Sequence, residues 1–270
     1  MDSYICNFES LGLGDEALVG GKNASLGEMI SQLNHQVLVP NGFATTAYAY
    51  NEFMRADNLE QRIQHELNAL DISDVVKLAE VGSRIRQWIM ETSFPEKFNR
   101  AIEEAFLQLQ NGESELAVAV RSSATADYLP EASFAGQQET FLNIVGIANV
   151  KQAIHQVFAS LFSDRAISHR THFGFEHGKV AISAGVQRMV RSDLGSSGVL
   201  FTLDTESGFR DVVFITASFG LGEAVVQGAV NPDEFYVHKP TYTKGRPAIL
   251  RRNPGSKAIK MTCTDKAEAG

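Results

Sequence analysis

The chain has 270 residues, 44% of them hydrophobic, which is material for one large domain or two smaller ones around a substantial core. A net charge of −8, from 24 Lys and Arg against 32 Asp and Glu and with no basic block, argues against nucleic acid as a partner. No apolar run approaches the roughly 20 residues that span a bilayer, MDSYICNFES is no secretory leader, and Cys6 and Cys263 give no disulfide framework, so the cytoplasm is the expected setting.

Residues 1–45 read as a strand or loop, a short helix and another strand. VGGKNASLGEMISQL opens on a glycine pair, and from Ala24 it sets Leu26, Met29, Ile30 and Leu33 at helical spacing. In QVLVPNGFATT, Val37 to Val39 suggest a strand stopped by Pro40, with Asn41-Gly42 as a turn and Thr45 or Thr46 as the next cap. Residues 46–110 look almost wholly helical. Val76, Leu78, Ala79, Ile85, Trp88 and Ile89 fall mostly along one face behind Ser73 as a cap. The following helix starts near Pro95 and ends at Asn111-Gly112.

From Leu116 the period changes. Ala117 to Val120 form a strand, a polar loop follows, and Thr140 to Ile144 form another strand. NVKQAIHQVFASLFSDRAISHRTHF is helical with a break near Ser163-Asp164. KVAISAGVQRMV, SGVLFTLDT, DVVFITASF and EFYVHK then read as strands between glycine-rich turns. The expected class is α+β, an antiparallel sheet with helices packed on it. Two subdomains are expected: a mostly helical one over 1–112 that carries Gly-Gly-Lys, and a sheet-containing one over 113–270.

Several stretches suit a charged ligand. Gly20-Gly21-Lys22 precedes a helix, so the backbone can approach an anion closely and Lys22 adds a mobile charge. The spacing is not that of a P-loop, and such a stretch taken alone is more often a plain turn with a surface lysine. Arg121 ends a strand and offers a planar fork that matches phosphate oxygens, or pairs with a surface carboxylate. Ser122, Ser123, Thr125 and the backbone at Gly136 would suit a polyphosphate, although Ser and Thr also serve ordinary turns. Gln187 carries both a donor and an acceptor, as an adenine edge requires, on a strand where it could instead face water. The seven histidines are scattered, and His169 and His172 lack a Cys or carboxylate partner pattern.

Taken together, VGGKNASLGEM, VPNGFATT, AVRSSATADYLPEASFAGQQETFLN, SAGVQRMVRSDLGSSGVLF and VVQGAVNPDEFYVHKP resemble the N-terminal ATP-binding part of the phosphoenolpyruvate synthases (pyruvate, water dikinases) over nearly the whole chain. Pyruvate phosphate dikinase and the rifampicin phosphotransferases share that module. The resemblance implies an ATP-grasp-type fold with ATP between two subdomains, incomplete at its C-terminal end. It implies phosphate contacts from Lys22 and Arg121, a loop lined by Gly136 and Thr140, and nucleotide contact by Gln187. It implies Mg2+ as a cofactor, with ligands expected beyond residue 270. Its partners would be the phosphohistidine and pyruvate-binding domains of a parent enzyme. Asp127-Tyr128 departs from the usual acidic pair, leaving one carboxylate where relatives have two. A non-catalytic docking fragment is the alternative.

Overall fold

A computed structural model describes residues 3–33, 36–125 and 139–263. Contacts divide the chain into two units, one over Met1–Met189 and one over Val190–Lys266. The division expected between 112 and 113 falls inside the first unit, because the helices and the sheet there share one core.

That unit is built on five antiparallel strands in the order β1-β2-β5-β3-β4. They are β1 (Ile5–Asn7), β2 (Gly42–Thr45), β3 (Ala117–Ala124), β4 (Thr140–Val145) and β5 (Ile182–Arg188). Six helices join the sheet through one core: α2 (Ala47–Arg55), α3 (Leu59–Asn68), α4 (Val75–Glu91), α5 (Glu96–Gln110), α6 (Ile147–Ser160) and α7 (Asp164–His172). Period-two alternation turns Val118 and Val120 of β3 and Ile182, Ala184 and Val186 of β5 into that core. There they meet Leu78, Ile85, Ile102, Ile154 and Phe158 from the helices. Phe53, Phe94, Phe98 and Phe158 form an aromatic knot with edge contacts at 4.9–6.1 Å, a geometry that adds to plain area burial.

The opposite face of the sheet is covered by α1 (Glu16–Leu33), which is helical except at Gly20, where φ is 77° and ψ is 159°. The kink lets the chain turn hard against β3. A Cβ on Gly20 would lie 2.2 Å from Ser123 Oγ, and one on Gly185 would lie 2.1 Å from Asn23 Oδ1. Two absent side chains therefore make room for the close approach. Asn23 fastens it: its Nδ2 donates to Val19 O at 3.0 Å and Ser183 Oγ at 2.8 Å, while its backbone N–H reaches Ser123 Oγ at 3.4 Å. Ser183 Oγ in turn donates to Thr45 O, so every link is buried and partnered.

Local signals account for most boundaries. Thr46 caps α2, accepting from Ala49 N, and Ser163 caps α7 at the expected break. Pro95 precedes α5, and Asn111 ends it at φ 46°. The cap of α4 is Asp74 rather than Ser73. The strand expected at Val37 to Val39 is absent, and Leu38 is 93% exposed. The strand begins instead at Gly42, where a Cβ would lie 2.1 Å from Val186 O, so only glycine permits the pairing with β5. The loop expected after Val120 is strand as far as Ala124.

The second unit is a four-stranded antiparallel meander, β6 (Ser196–Phe201), β7 (Val212–Phe219), β8 (Asp233–His238) and β9 (Ile249–Asn253), with short helices α8 (Glu223–Val226) and α9 (Lys239–Thr243). The expected single sheet is thus two sheets. Phe201, Phe214 and Tyr236 line up across three strands, and Arg251 of β9 lies 5.6 Å from the Tyr236 ring centroid. The two arginines of ILRRN hide β9 from an apolar-pattern reading.

One charged side chain lies within the helical layer. Arg170 of α7 is 1% exposed, and its Nε donates to His177 Nδ1 at 3.0 Å. Burial, and then the charge of Arg170, lowers the His177 pKa to about 4 from 6.5, so the folded chain holds this ring neutral.

Two outcomes are expected. Gly20→Ala combines a backbone conformation reserved for glycine with a clash against Ser123, and should destabilise the chain by roughly 3 kcal/mol in urea denaturation. His177 is protonated in the unfolded chain below about pH 6.5 but in the folded chain only near pH 4, so its contribution is complete above pH 6.5 and is lost as pH falls toward 4. The urea midpoint should therefore fall less between pH 7 and pH 4.5 in His177→Gln than in the wild type.

Candidate functional site

Strand register places the predicted residues. Arg121 of β3 is opposite Gly185 of β5 on one side and Thr140 of β4 on the other. Residues directly opposite on antiparallel strands project to one face. The Gly185 position meets Asn23, so this is the face that α1 covers. Gln187 pairs with Ala119, two positions from Arg121 on β3, and so lies diagonally from Arg121 on the same face. Arg121 and Thr140 are exposed there, whereas Gln187 is 7% exposed.

Lys22 reaches the same region along another route. It is exposed in the first turn after the Gly20 kink, between Gly20 and Asn23, both of which lie against Ser123. Ser123 is two residues along β3 from Arg121. Motifs about a hundred residues apart thus meet at the α1-covered face of β3. The helix that resumes after Gly20 also begins here, and the first N–H groups of a helix lack intrahelical acceptors. An exposed lysine, an exposed arginine and a helix start on one side of a sheet make a setting for an anion with several oxygens.

Other expected contributors have structural duties. Ser122 is buried and its Oγ donates to Glu139 O at 3.3 Å. Ser123 Oγ accepts from Asn23 N, and Thr125 Oγ1 donates to Ala181 O at 2.9 Å. These hydroxyls shape the strand and its exit instead of standing open to a ligand. Gln187 Nε2 donates to Pro40 O at 2.8 Å, which ties the segment before β2 to β5. Gly136, Asp127 and Tyr128 lie outside the described residues.

Asn23 and Ser183 are the residues that motif reading passed over. Neither faces outward, and together they hold α1 against the sheet. The one signal for Asn23 is its place directly after Gly-Gly-Lys. Cys6 pairs with Ala44 at the far side of the same row of strands. Burial, and then the charge of Asp15, raises its pKa above the usual thiol value, so it stays a thiol at neutral pH. Among the described residues no group of three or more His, Cys, Asp or Glu is arranged to hold a metal ion. No helix among them is long and apolar enough to cross a membrane.

Comparison with known proteins gives the family. Residues 16–269 match the family described as pyruvate phosphate dikinase, AMP/ATP-binding domain. The chain is 64% identical over its whole length to phosphoenolpyruvate synthase of Pseudomonas aeruginosa strain UCBPP-PA14, covering 34% of that protein. It is 64% identical, again over its whole length, to phosphoenolpyruvate synthase of Neisseria meningitidis serogroup B strain MC58, covering 34% of it. For the Escherichia coli K12 phosphoenolpyruvate synthase the identity is 59% over 97% of this chain and 33% of that protein. The chain thus spans about a third of the length of these relatives. With α+β units of antiparallel strands and helices and a match that begins at the first residue of α1, the chain belongs to the pyruvate phosphate dikinase AMP/ATP-binding domain family.

Proposed function

We propose that the chain is the ATP-binding phosphotransfer domain of a cytoplasmic phosphoenolpyruvate synthase, of ATP-grasp type, and that Lys22 and Arg121 carry the phosphate charge. The single observation that supports this most is the seating of the Gly20–Asn23 turn on Ser123, which brings Lys22 to the strand that carries Arg121. Arg121 supplies a permanent planar charge from a strand hydrogen-bonded on both sides. Lys22 supplies a mobile ammonium beside the N–H groups of the helix start. Thr140, exposed across from Arg121, adds a hydroxyl at the edge of the same face. Gln187 lies one diagonal away, where its amide fixes the Pro40 segment and reads the nucleotide. The family resemblance adds Gly136, which lies outside the described residues.

Phosphoryl transfer is driven mainly by positioning and charge neutralisation, so a rigid arginine and a mobile lysine suit it. In the proposed parent reaction, ATP, pyruvate and water give phosphoenolpyruvate, AMP and phosphate. The phosphoryl group travels through a phosphohistidine on a separate domain, then to pyruvate on another. Mg2+, when bound, would supply further positive charge against the phosphates, no group among the described residues is arranged to hold it, and none of the steps assigned to Lys22 or Arg121 runs through it. Transfer to an antibiotic is the alternative acceptor chemistry. The relatives described above are all named as phosphoenolpyruvate synthases, which favours pyruvate.

Calorimetric titration of the chain with ATP and Mg2+ tests the reading. Arg121→Ala and Lys22→Ala should each weaken binding by about 10-fold or more, the loss of one charge-assisted contact. Lys97→Ala, an exposed control on α5, should leave it unchanged. A wild-type chain that shows no heat with ATP, or an Arg121→Ala variant that binds as well as wild type, would show a docking piece instead.

A further inference from the structure

The helical layer of the first unit holds a cavity of about 490 Å3 that has no part in the face described above. Tyr50 and Asn51 of α2, Gln64 of α3, Phe162 and His177 contribute to its lining. Arg170 lies immediately behind three of these. Its Nε donates to His177 Nδ1 at 3.0 Å, its guanidinium carbon is 5.4 Å from the Phe162 ring centroid, and its charge acts on Tyr50. Arg170 is 1% exposed and is not itself part of the lining, and neither Nη1 nor Nη2 has a hydrogen-bond partner among the described residues.

A buried cation with two unpartnered nitrogens is an incomplete arrangement, because buried polar groups are otherwise almost always partnered. Arg170 stays charged at neutral pH even though burial lowers its pKa to about 10. The neighbouring His177 is neutral and accepts from Nε, so it does not supply the missing counter-charge. Charges at the cavity largely answer one another: Lys179 pairs with Glu176 at 3.1 Å, and Arg55 pairs with Glu52 at 2.6 Å. Glu60 also lines the cavity, a carboxylate that opposes an anion there.

We infer that this cavity is a second ligand site of the domain, one that takes a small oxyanion, a phosphate or carboxylate group, against the Arg170 guanidinium. The two free Nη groups match the two oxygens of such a group in the bidentate manner of arginine. Asn51 and Gln64 place amide side chains on the cavity wall, and the oxyanion reaches Arg170 when Tyr50 or His177, which stand between it and the cavity, move aside. The site is distinct from the nucleotide face, so occupation of one need not displace the other.

The test titrates inorganic phosphate, and in a second arm malonate, into the full 270-residue chain. Calorimetry reads binding, and NMR of the histidine rings reads the site through His177. Saturable binding of at least one probe, undiminished by saturating ATP, is expected. Phosphate alone, malonate alone or both would name the group preferred. Arg170→Met should weaken that binding by about 10-fold or more with ATP affinity unchanged. Should Arg170→Met fail to fold, Asn51→Trp, an exposed position at the cavity, should block the probe without touching the core. Absence of saturable binding to the wild type, equal binding in the variants, or displacement of the probe by ATP would each overturn the inference.

Discussion

The approach of α1 to the sheet governs the first unit. Gly20 and Gly185 lack side chains at the two points where a Cβ would run into Ser123 and Asn23. Ser123 fills the space at Gly20 and Asn23 the space at Gly185, where its amide bridges Val19 and Ser183. A hydrogen bond of this kind contributes about 1 kcal/mol net, but leaving one partner buried and unmatched costs more. The interlock therefore specifies a position more than it adds stability. A helix docked by apolar contact alone could slide by a fraction of a turn. A helix whose amide must find one serine hydroxyl cannot.

This precision has a place in the chemistry because the two faces of the sheet do different work. Toward α2–α7 the strands present valine, isoleucine and alanine to a continuous core in which Phe53, Ile85, Ile102, Ile154 and Phe158 are fully buried. Truncating one of those phenylalanines would cost about 3–5 kcal/mol, which is the scale of the rigidity behind the other face. Toward α1 the same strands carry Arg121, Ser123, Gly185 and Gln187, small or polar groups that would not build a core. The alternation of a single strand, β3, supplies Val118 and Val120 to one task and Arg121 and Ser123 to the other.

The sequence was most legible where one local rule decided the outcome. The Thr46 and Ser163 caps, the end of α5 at Asn111 and the core-facing residues of β3 and β5 follow from capping and period alone. Reading failed where distant contact overruled composition. Val37 to Val39 look like a strand but lie outside the sheet, while Gly42, expected in a turn with Asn41, opens a strand to Thr45 that pairs on both edges, because only glycine clears Val186 at that spot. Ser122, Ser123 and Thr125 suit either a polyphosphate or ordinary backbone bonding by sequence, and their hydroxyls serve the strand and its exit. No local pattern separates a serine that meets substrate from one that meets an asparagine a hundred residues away. Arg170 was silent for the same reason: an arginine near the end of a polar helix looks solvated until the helices close over it.

On the proposed reading, the choice of arginine at 121 and lysine at 22 follows from the backbone beneath each. Arg121 belongs to a strand laddered on both sides, with Thr140 and Gly185 as its direct neighbours, so its Cα is fixed and its planar fork can be aimed. Lys22 belongs to the turn after a kinked glycine, seated on β3 through its neighbours and exposed itself. A compact ammonium on a flexible stem can follow a phosphate whose charge moves during transfer, which a fixed fork cannot. Exchanging the two residues would keep the total charge and lose both functions. Electrostatic catalysis depends on where charge is held before reaction, and here the strand holds one charge while the helix start supplies the other.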